Sequence, residues 1–519
     1  MYLSKTKAEF AAEAMNECST AATSPCPGGR PGRPFWNPEA FQFMYVPAFQ
    51  FQPIPGASSY IYELTDEKGV IRSFTAKDCS ANLEPVWRDI PEGVVKLTVT
   101  AADKDGNKTW QAGSRTFFKL ASFPDDLPGP ARGYREAALK TFEYALSKPF
   151  MQHWITEGTP HPDYNHYVYP SKMSYGIIIG MLSYAGLCPE RADDAMKIAV
   201  ACADYLIGIT PKSGPMKGIP PTYQINFRPN PETRQNLKAA ERINQCMMIY
   251  PPHVGIAYLE LYKATGDKKY YDAAMEIACY FRDTVEENGS WMLIRDYTTG
   301  EAIAPDYCEA LREFYPFFSE LCSMTGDAVW KKLCDGCVAY AESAVESYNF
   351  GGQFEDSKCS VSYSNLSHYG ATTLIRYYCE NYADNEEKMA VADELMRFVE
   401  DQFVIWKRPS PWNKSRFDTS LWHTPCGLEQ YGWHVPIDAS TSDIYYTFME
   451  MYKAGRGELH LAKAMALADS VTRAQQENGL IPTHWMDESY RKGKGMWINC
   501  MFYAADRLLK LADFLDSLK

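Results

Sequence analysis

Carboxylates, imidazoles and aromatic rings recur in this sequence at one kind of place: after a long loop, where an apolar run of helical period begins. The groups are His166, Tyr167 and Tyr169; Tyr250 and His253; Asp306, Tyr307 and Glu309; Ser364, Asn365, His368 and Tyr369; His434, Asp438 and Asp443; and Trp497 with Asn499. A single polar residue at a helix start is an N-cap, and Asp306 after Pro305 or Ser440 would serve as one. Recurrence at several starts suggests a polar site instead. Two carboxyls can share the work on a glycosidic bond, one protonating the leaving oxygen and one activating water. A Tyr and His pair beside an Arg suits proton abstraction from a uronate. Tyr250 with His253, or His166 with Tyr167, are such pairs, and Arg295 and Tyr297 lie in the loop before Asp306.

The segment Trp406–Ser440 is the richest in such groups. It carries Trp412, Arg416, Asp418, Trp422, His423, Glu429, Tyr431, Trp433 and His434. Aromatic faces beside acids and a cation are what a sugar site uses, so the segment is expected to border one; the plainer expectation is a lid packed down by its Trp residues. A basic loop, Arg491-Lys492-Gly493-Lys494-Gly495, could hold an anion or be merely solvated. No phosphate-binding Gly-rich loop, no Gly-x-Ser-x-Gly elbow and no His-Glu-x-x-His stretch occurs. Cys334 and Cys337 form a lone Cys-x-x-Cys inside a helical pattern, without a second ligand pair. No metal and no cofactor are therefore expected. The 15 Cys are scattered and odd in number, as buried structural thiols are.

These groups need elements to position them. From residue 131 the apolar period is 3.6, and twelve helices are expected near 131–148, 171–186, 190–208, 252–265, 268–285, 306–324, 328–346, 366–382, 385–403, 441–454, 458–476 and 497–517. Short turns such as Thr265-Gly266-Asp267 and Thr325-Gly326-Asp327 alternate with long loops. A period of roughly 60 residues is that of helical hairpins, and six of them predict a mainly α chain, an (α/α)6 toroid over 131–519. The long loops would then lead into six inner helices whose N-termini surround one mouth and favour an anion. Ahead of the toroid, period-two runs such as Ser59–Leu64 and Val94–Thr100 predict a small β-sandwich over 41–122. Residues 1–40, rich in Gly and Pro, read as an extended arm, and 124–130 as a linker.

Over 519 residues, 65 acidic against 52 basic side chains give a net charge of −13, which argues against a nucleic-acid partner. Hydrophobic residues at 46% exclude disorder, and no apolar run approaches the ~20 residues of a membrane span. The first fifteen residues lack a signal-peptide apolar core, so the expectation is a cytoplasmic chain, or a periplasmic or secreted one if a leader has been removed.

Ala302-Ile303-Ala304-Pro305-Asp306-Tyr307-Cys308-Glu309-Ala310-Leu311, then Phe317–Leu321 and Thr325-Gly326-Asp327, resembles the inner helix bearing the catalytic Asp of unsaturated glucuronyl hydrolases and related glucuronidases. Asp438-Ala439-Ser440-Thr441-Ser442-Asp443 is similar to the opening of a later inner helix in that family, and Trp497 sits where its last inner helix places an aromatic. Pro53–Ala57 before a Tyr-rich strand resembles fibronectin-type or immunoglobulin-like modules of such enzymes. The polar pair Cys308-Glu309 departs from the family pattern. The resemblance implies a glycoside hydrolase that removes glucuronic or unsaturated uronic acid from acidic oligosaccharides. Asp306 would be the acid/base, with Asp438, Asp443, Glu309 or Glu429 as second carboxylate. Arg228, Arg416 and His368 would bind the uronate, alongside His166, Tyr250, His253, Trp422, His423, Trp433, His434 and Trp497. The alternatives are a lyase or a sugar epimerase using a Tyr/His pair, or a glycan-binding protein without turnover. A homodimer is left open.

Overall fold

The structure is a computed structural model and describes residues 3–25, 40–225, 235–303, 306–352, 366–413 and 418–519. Its contacts divide the chain into two units. The first comprises residues 1–130, 366–470 and 485–487, and the second 131–365, 471–484 and 488–519. All twelve expected helices are present.

In the second unit three pairs are hairpins, Pro170–Leu187 with Ala192–Ile209, Tyr250–Thr265 with Lys268–Asp283, and Tyr315–Thr325 with Ala328–Ser343, and Ile498–Ser517 packs on Tyr134–Leu146, far from it in sequence. The short turns repeat one device. Gly266 (φ 72°) and Gly326 (φ 69°) end a helix in the left-handed region, and the next residue starts another. Asp267 accepts from the Lys269 N–H and Asp327 from the Val329 N–H, each at 3.0 Å. Four helices form a row in which Pro170–Leu187 lies between Ile498–Ser517 and Tyr250–Thr265, and Tyr250–Thr265 meets Tyr315–Thr325. Missing side chains permit the approach. A Cβ at Gly176 would lie 2.5 Å from the Asn499 Cβ, and one at Gly255 would lie 2.5 Å from the Phe317 ring. The helix expected from residue 306 begins instead at Ala310 and is interrupted at Phe314, before Tyr315-Pro316, because Pro316 has no N–H to donate. A further helix, Pro149–Thr156, was not expected.

In the first unit, five strands form one sheet: β1 (Gln42–Phe43), β2 (Ser59–Thr65), β3 (Ile71–Ala76), β4 (Gly93–Ala102) and β5 (Lys108–Lys119), in the order β1-β5-β4-β2-β3. The expected sandwich is corrected here, since among the described residues of this segment there is no second sheet to face the first. Tyr60, Tyr62, Leu64, Val95, Leu97 and Val99 form the buried face. It is covered by Phe49 from irregular chain and Trp87 from a short helix, whose rings gather with that of Phe43 in β1 on Phe117 at 5.5–6.0 Å. The expected extended arm contains a helix, Lys7–Cys18. Thr6 and Glu9 close a capping box, and Phe10, Ala14 and Cys18, each four apart, are buried.

Helix Glu386–Phe403 anchors the sheet segment. The Asp401 carboxylate accepts the N–H groups of Met44 (2.5 Å) and Tyr45 (2.9 Å). Helices Tyr369–Asn381 and Asp438–Lys453 complete this unit's helical part, with Glu458–Ala474 up to Ser470. The Trp-rich segment is not one long loop. Val404–Ile405, Cys426–Gln430 and Trp433–Pro436 make a three-stranded sheet. Trp406 and Trp422 are buried; only Trp412 is largely exposed. The apolar area of Trp406 and Trp422 serves as core.

Among the described residues no helix is long and apolar enough to cross a membrane, no group of His, Cys, Asp or Glu is placed to hold a metal, and the cysteines are free thiols.

Candidate functional site

In the second unit the starts of the row helices bring five ionisable side chains and several rings into one continuous series. His253 lies one turn into Tyr250–Thr265, and its Nε2 stands 2.5 Å from Glu313 Oε2. Glu313 is buried, while His253 is 19% exposed. With Nε2–H directed at that carboxylate, Nδ1 is the nitrogen left to take up a proton. The Tyr175 ring packs 4.9 Å from the imidazole, and burial pushes its phenol up to about 12, so it keeps its proton. One turn earlier on the same helix, Lys172 Nζ sits 4.5 Å from the Trp497 ring and 5.6 Å from Tyr250. Trp497 also stacks on His166 at 3.9 Å and meets the Tyr169 ring at 5.4 Å. Burial, the Lys172 charge and His484 lower His166 to about 3, so it is a neutral ring.

Glu309, not Asp306, caps the helix that follows, accepting from the Arg312 N–H at 2.7 Å. It is fully buried, and its other oxygen has no partner among the described residues. Burial and then the Glu313 charge raise Glu309 to about 8. Asp306 lies four residues before the helix, half-buried in extended chain; its backbone accepts from Leu293 and its carboxylate from the Tyr307 N–H at 3.0 Å. Burial, then the charges of Glu313, Asp306 and Glu309, push the Cys308 thiol well up. The pair His166/Tyr167 is not free for chemistry: the Tyr167 hydroxyl accepts from Trp154 at 2.7 Å and donates to Phe150 at 3.1 Å.

In the first unit the candidates are knit into the interior. Asp443 lies 3.1 Å from Arg376 and 3.4 Å from His368 and accepts from the Thr372 hydroxyl. Burial alone would raise it, but Arg376, His368 and Thr372 outweigh that and hold it well below the usual carboxylate range. Asp438, the first residue of its helix, is fully buried; one oxygen accepts from Ala439 at 2.6 Å and the other has no partner among the described residues. Burial, reinforced by the Glu429 charge, pushes it well up despite the Ala439 N–H. His434 spends both ring nitrogens, on Asn413 (2.8 Å) and the Gln402 carbonyl (2.9 Å). His423 is held by Ser470 against Trp485, Trp422 is buried and Trp433 half-buried. Arg228 and Arg416 lie outside the described residues.

Lys172, Tyr175 and Glu313 were missed in the sequence. The signal was spacing: Lys172 and Tyr175 are three apart after Pro170, and Glu309 and Glu313 four apart, so each pair shares a helix face.

No protein-family model and no curated protein sequence matches the chain. Solved structures do. Cellobiose 2-epimerase from Spirochaeta thermophila DSM 6192 matches with a TM-score of 0.50 at 10% identity, over 75% of this chain and 100% of that one. A family 76 glycoside hydrolase from a bovine Bacteroides thetaiotaomicron strain gives 0.48 at 10%, over 88% and 93%. An unsaturated glucuronyl hydrolase specific for heparin gives 0.42 at 10%, over 74% and 98%. The chain shares a helix-rich fold with sugar enzymes, and at this identity the likeness extends to the fold alone.

Proposed function

We propose that the chain is a carbohydrate-active enzyme that moves a proton at a sugar carbon, with His253 as base. The observation that carries this reading is the His253–Glu313 contact at 2.5 Å, an imidazole that keeps some exposure to solvent and is oriented by a buried carboxylate. His253 Nδ1 takes the proton from a carbon beside a carbonyl or carboxylate, and the electron pair moves onto that oxygen. Lys172 supplies the neighbouring cation, and the Tyr175 hydroxyl can return a proton to the carbon. Hydrolysis by paired carboxylates, the leading expectation from the family resemblance, is the second reading. What favours it is Asp306, half-buried beside the proton-holding Glu309. A uronate suits either, because its carboxylate would meet Lys172.

The test is incubation of the full chain in D2O with reducing disaccharides and uronate-terminated oligosaccharides, followed by mass spectrometry and a reducing-end assay. Deuterium enters the sugar carbon without new reducing ends, and His253→Gln lowers that rate by about 10²–10⁴ while the far-UV signal is unchanged. New reducing ends without deuterium, abolished by Asp306→Asn, would replace the proposal with the hydrolytic reading.

A further inference from the structure

The first unit holds a polar cavity of about 350 Å³ that the proposed reaction leaves unused. It lies between helices Lys7–Cys18, Glu386–Phe403 and the start of Glu458–Ala474. Several charges on its wall are fully engaged. Glu400 accepts from Lys463 (2.7 Å), Tyr45 (3.0 Å) and Trp406 (3.0 Å). Arg456 is shared between Asp393 and Glu386.

Two groups lack a hydrogen-bond partner among the described residues, and a third is paired only at long range. Arg397 Nε is buried with no hydrogen-bond partner among the described residues, and no carboxylate there pairs with its guanidinium. His460 Nδ1 is likewise buried and without a partner, and burial together with the nearby Lys463, Arg456 and Arg397 lowers the ring to about 3, so it is neutral. Glu17 has Lys463 as its nearest cation, at 3.9 Å. A guanidinium donor removed from water without an acceptor is a cost the fold retains unless something else meets it. The fork geometry of Arg matches a carboxylate. A dianion would face Glu17, Glu400 and Asp393, whereas a monoanion with hydroxyl or ammonium donors would give Glu17 and His460 something to accept.

We propose that this cavity binds a small monocarboxylate bearing hydroxyl or ammonium groups, a sugar acid or an amino acid, with Arg397 holding the carboxylate and Glu17 accepting from its donors. Titration calorimetry on the full chain with gluconate, serine, inorganic phosphate and glucose tests it. Gluconate or serine binds at least tenfold more tightly than phosphate or glucose. Arg397→Met removes that binding; Arg397→Lys, which keeps the charge but not the fork, weakens it at least tenfold; Glu17→Gln weakens it about threefold. Thermal melts check that each variant is folded, and if the Met variant unfolds the Lys variant decides. His253→Gln binds as the parent does, which separates this cavity from the proposed reaction centre. No binding of either carboxylate, equal binding of phosphate, insensitivity to Arg397, or loss of binding in His253→Gln would each overturn the proposal.

Discussion

Two helix starts in this molecule carry a pair of acids each: Glu309 and Glu313 in the second unit, Asp438 and Asp443 in the first. Each pair is split in the same way. The residue at the helix's first edge is fully buried, lacks a partner on one oxygen and holds its proton, Glu309 with a value of about 8 and Asp438 well above the ordinary carboxylate range. The residue a turn later has a cationic or imidazole partner. Environments that push two acids apart are what acid/base chemistry requires, and Asp438, raised by burial, and Asp443, lowered by Arg376, His368 and Thr372, are separated in that way. They differ in the partner. Glu313 faces an imidazole, 19% exposed, that can exchange a proton with a substrate, while Asp443 faces the buried His368 and a guanidinium, 18% exposed, that cannot lose one. Burial sets which acid holds a proton; the partner decides whether the other one reacts or braces.

The largest expected effect comes from breaking the brace. Arg376→Met leaves the Asp443 charge in a site where it is 1% exposed, and denaturant unfolding shows a loss of about 3–5 kcal/mol. Adding Asp443→Asn recovers much of it, because the double variant has no stranded charge. A loss below about 1 kcal/mol, or no recovery, would mean that Asp443 is solvated and free to react, and the contrast with Glu313 would collapse.

The next effect sharpens the other half. Glu309 binds its proton more tightly folded than unfolded, its value rising from 4.5 to about 8. Its contribution is therefore fully present below pH 4.5 and is lost as the pH rises through 8, at up to about 1.4 kcal/mol per pH unit. Glu309→Gln keeps an acceptor for the Arg312 N–H but does not titrate. The variant is expected to match the parent near pH 4 and to exceed it by roughly 2 kcal/mol at pH 9, part of the gain being offset by burial of the amide. Parallel stability curves for the two proteins across pH 4–9 would show that Glu309 ionises as an exposed acid does.

The helical half of the fold was legible because its signals are local. The Thr-Gly-Asp turns stop one helix and cap the next through atoms two or three residues apart. All twelve helices followed, but their ring closure into an (α/α)6 toroid stays an expectation. The sandwich was not legible, since alternation reports one buried face and not what covers it; here Phe49 from irregular chain and Trp87 from a short helix do so. The capping box of Lys7–Cys18 was in the sequence, but the Gly- and Pro-rich stretch after it masked it. In the site, residue types were readable and pairings were not. His253 stood out, but its partner Glu313 is sixty residues away and was hidden among helix-face charges. Asp306 was singled out as a cap because it follows Pro305, whereas the chain runs on extended for three residues and Glu309 takes that place.

The smallest effect concerns how the two regions hold their geometry. The first is fixed by an ion pair, the second by how closely its helices approach. Gly176 follows Tyr175 directly, and a Cβ there would meet the Asn499 Cβ at 2.5 Å and Cα at 2.8 Å. One of these is backbone, so the two helices must separate or rotate, and overpacking of this kind costs about 1–3 kcal/mol. Gly208, on a neighbouring helix, has nothing within 4 Å of its would-be Cβ, and Gly208→Ala gains about 0.5–1 kcal/mol from helix propensity alone. Gly176→Ala is therefore expected to lower stability by about 1–3 kcal/mol while Gly208→Ala raises it slightly. If Tyr175 and His253 work together, Gly176→Ala also slows the proton exchange more than its stability loss accounts for at temperatures where it is fully folded, since a shift of about 1 Å in a reacting group can cost about 10²-fold. An unchanged rate in a folded Gly176→Ala protein would remove Tyr175 from the reaction and leave His253 to act with another donor.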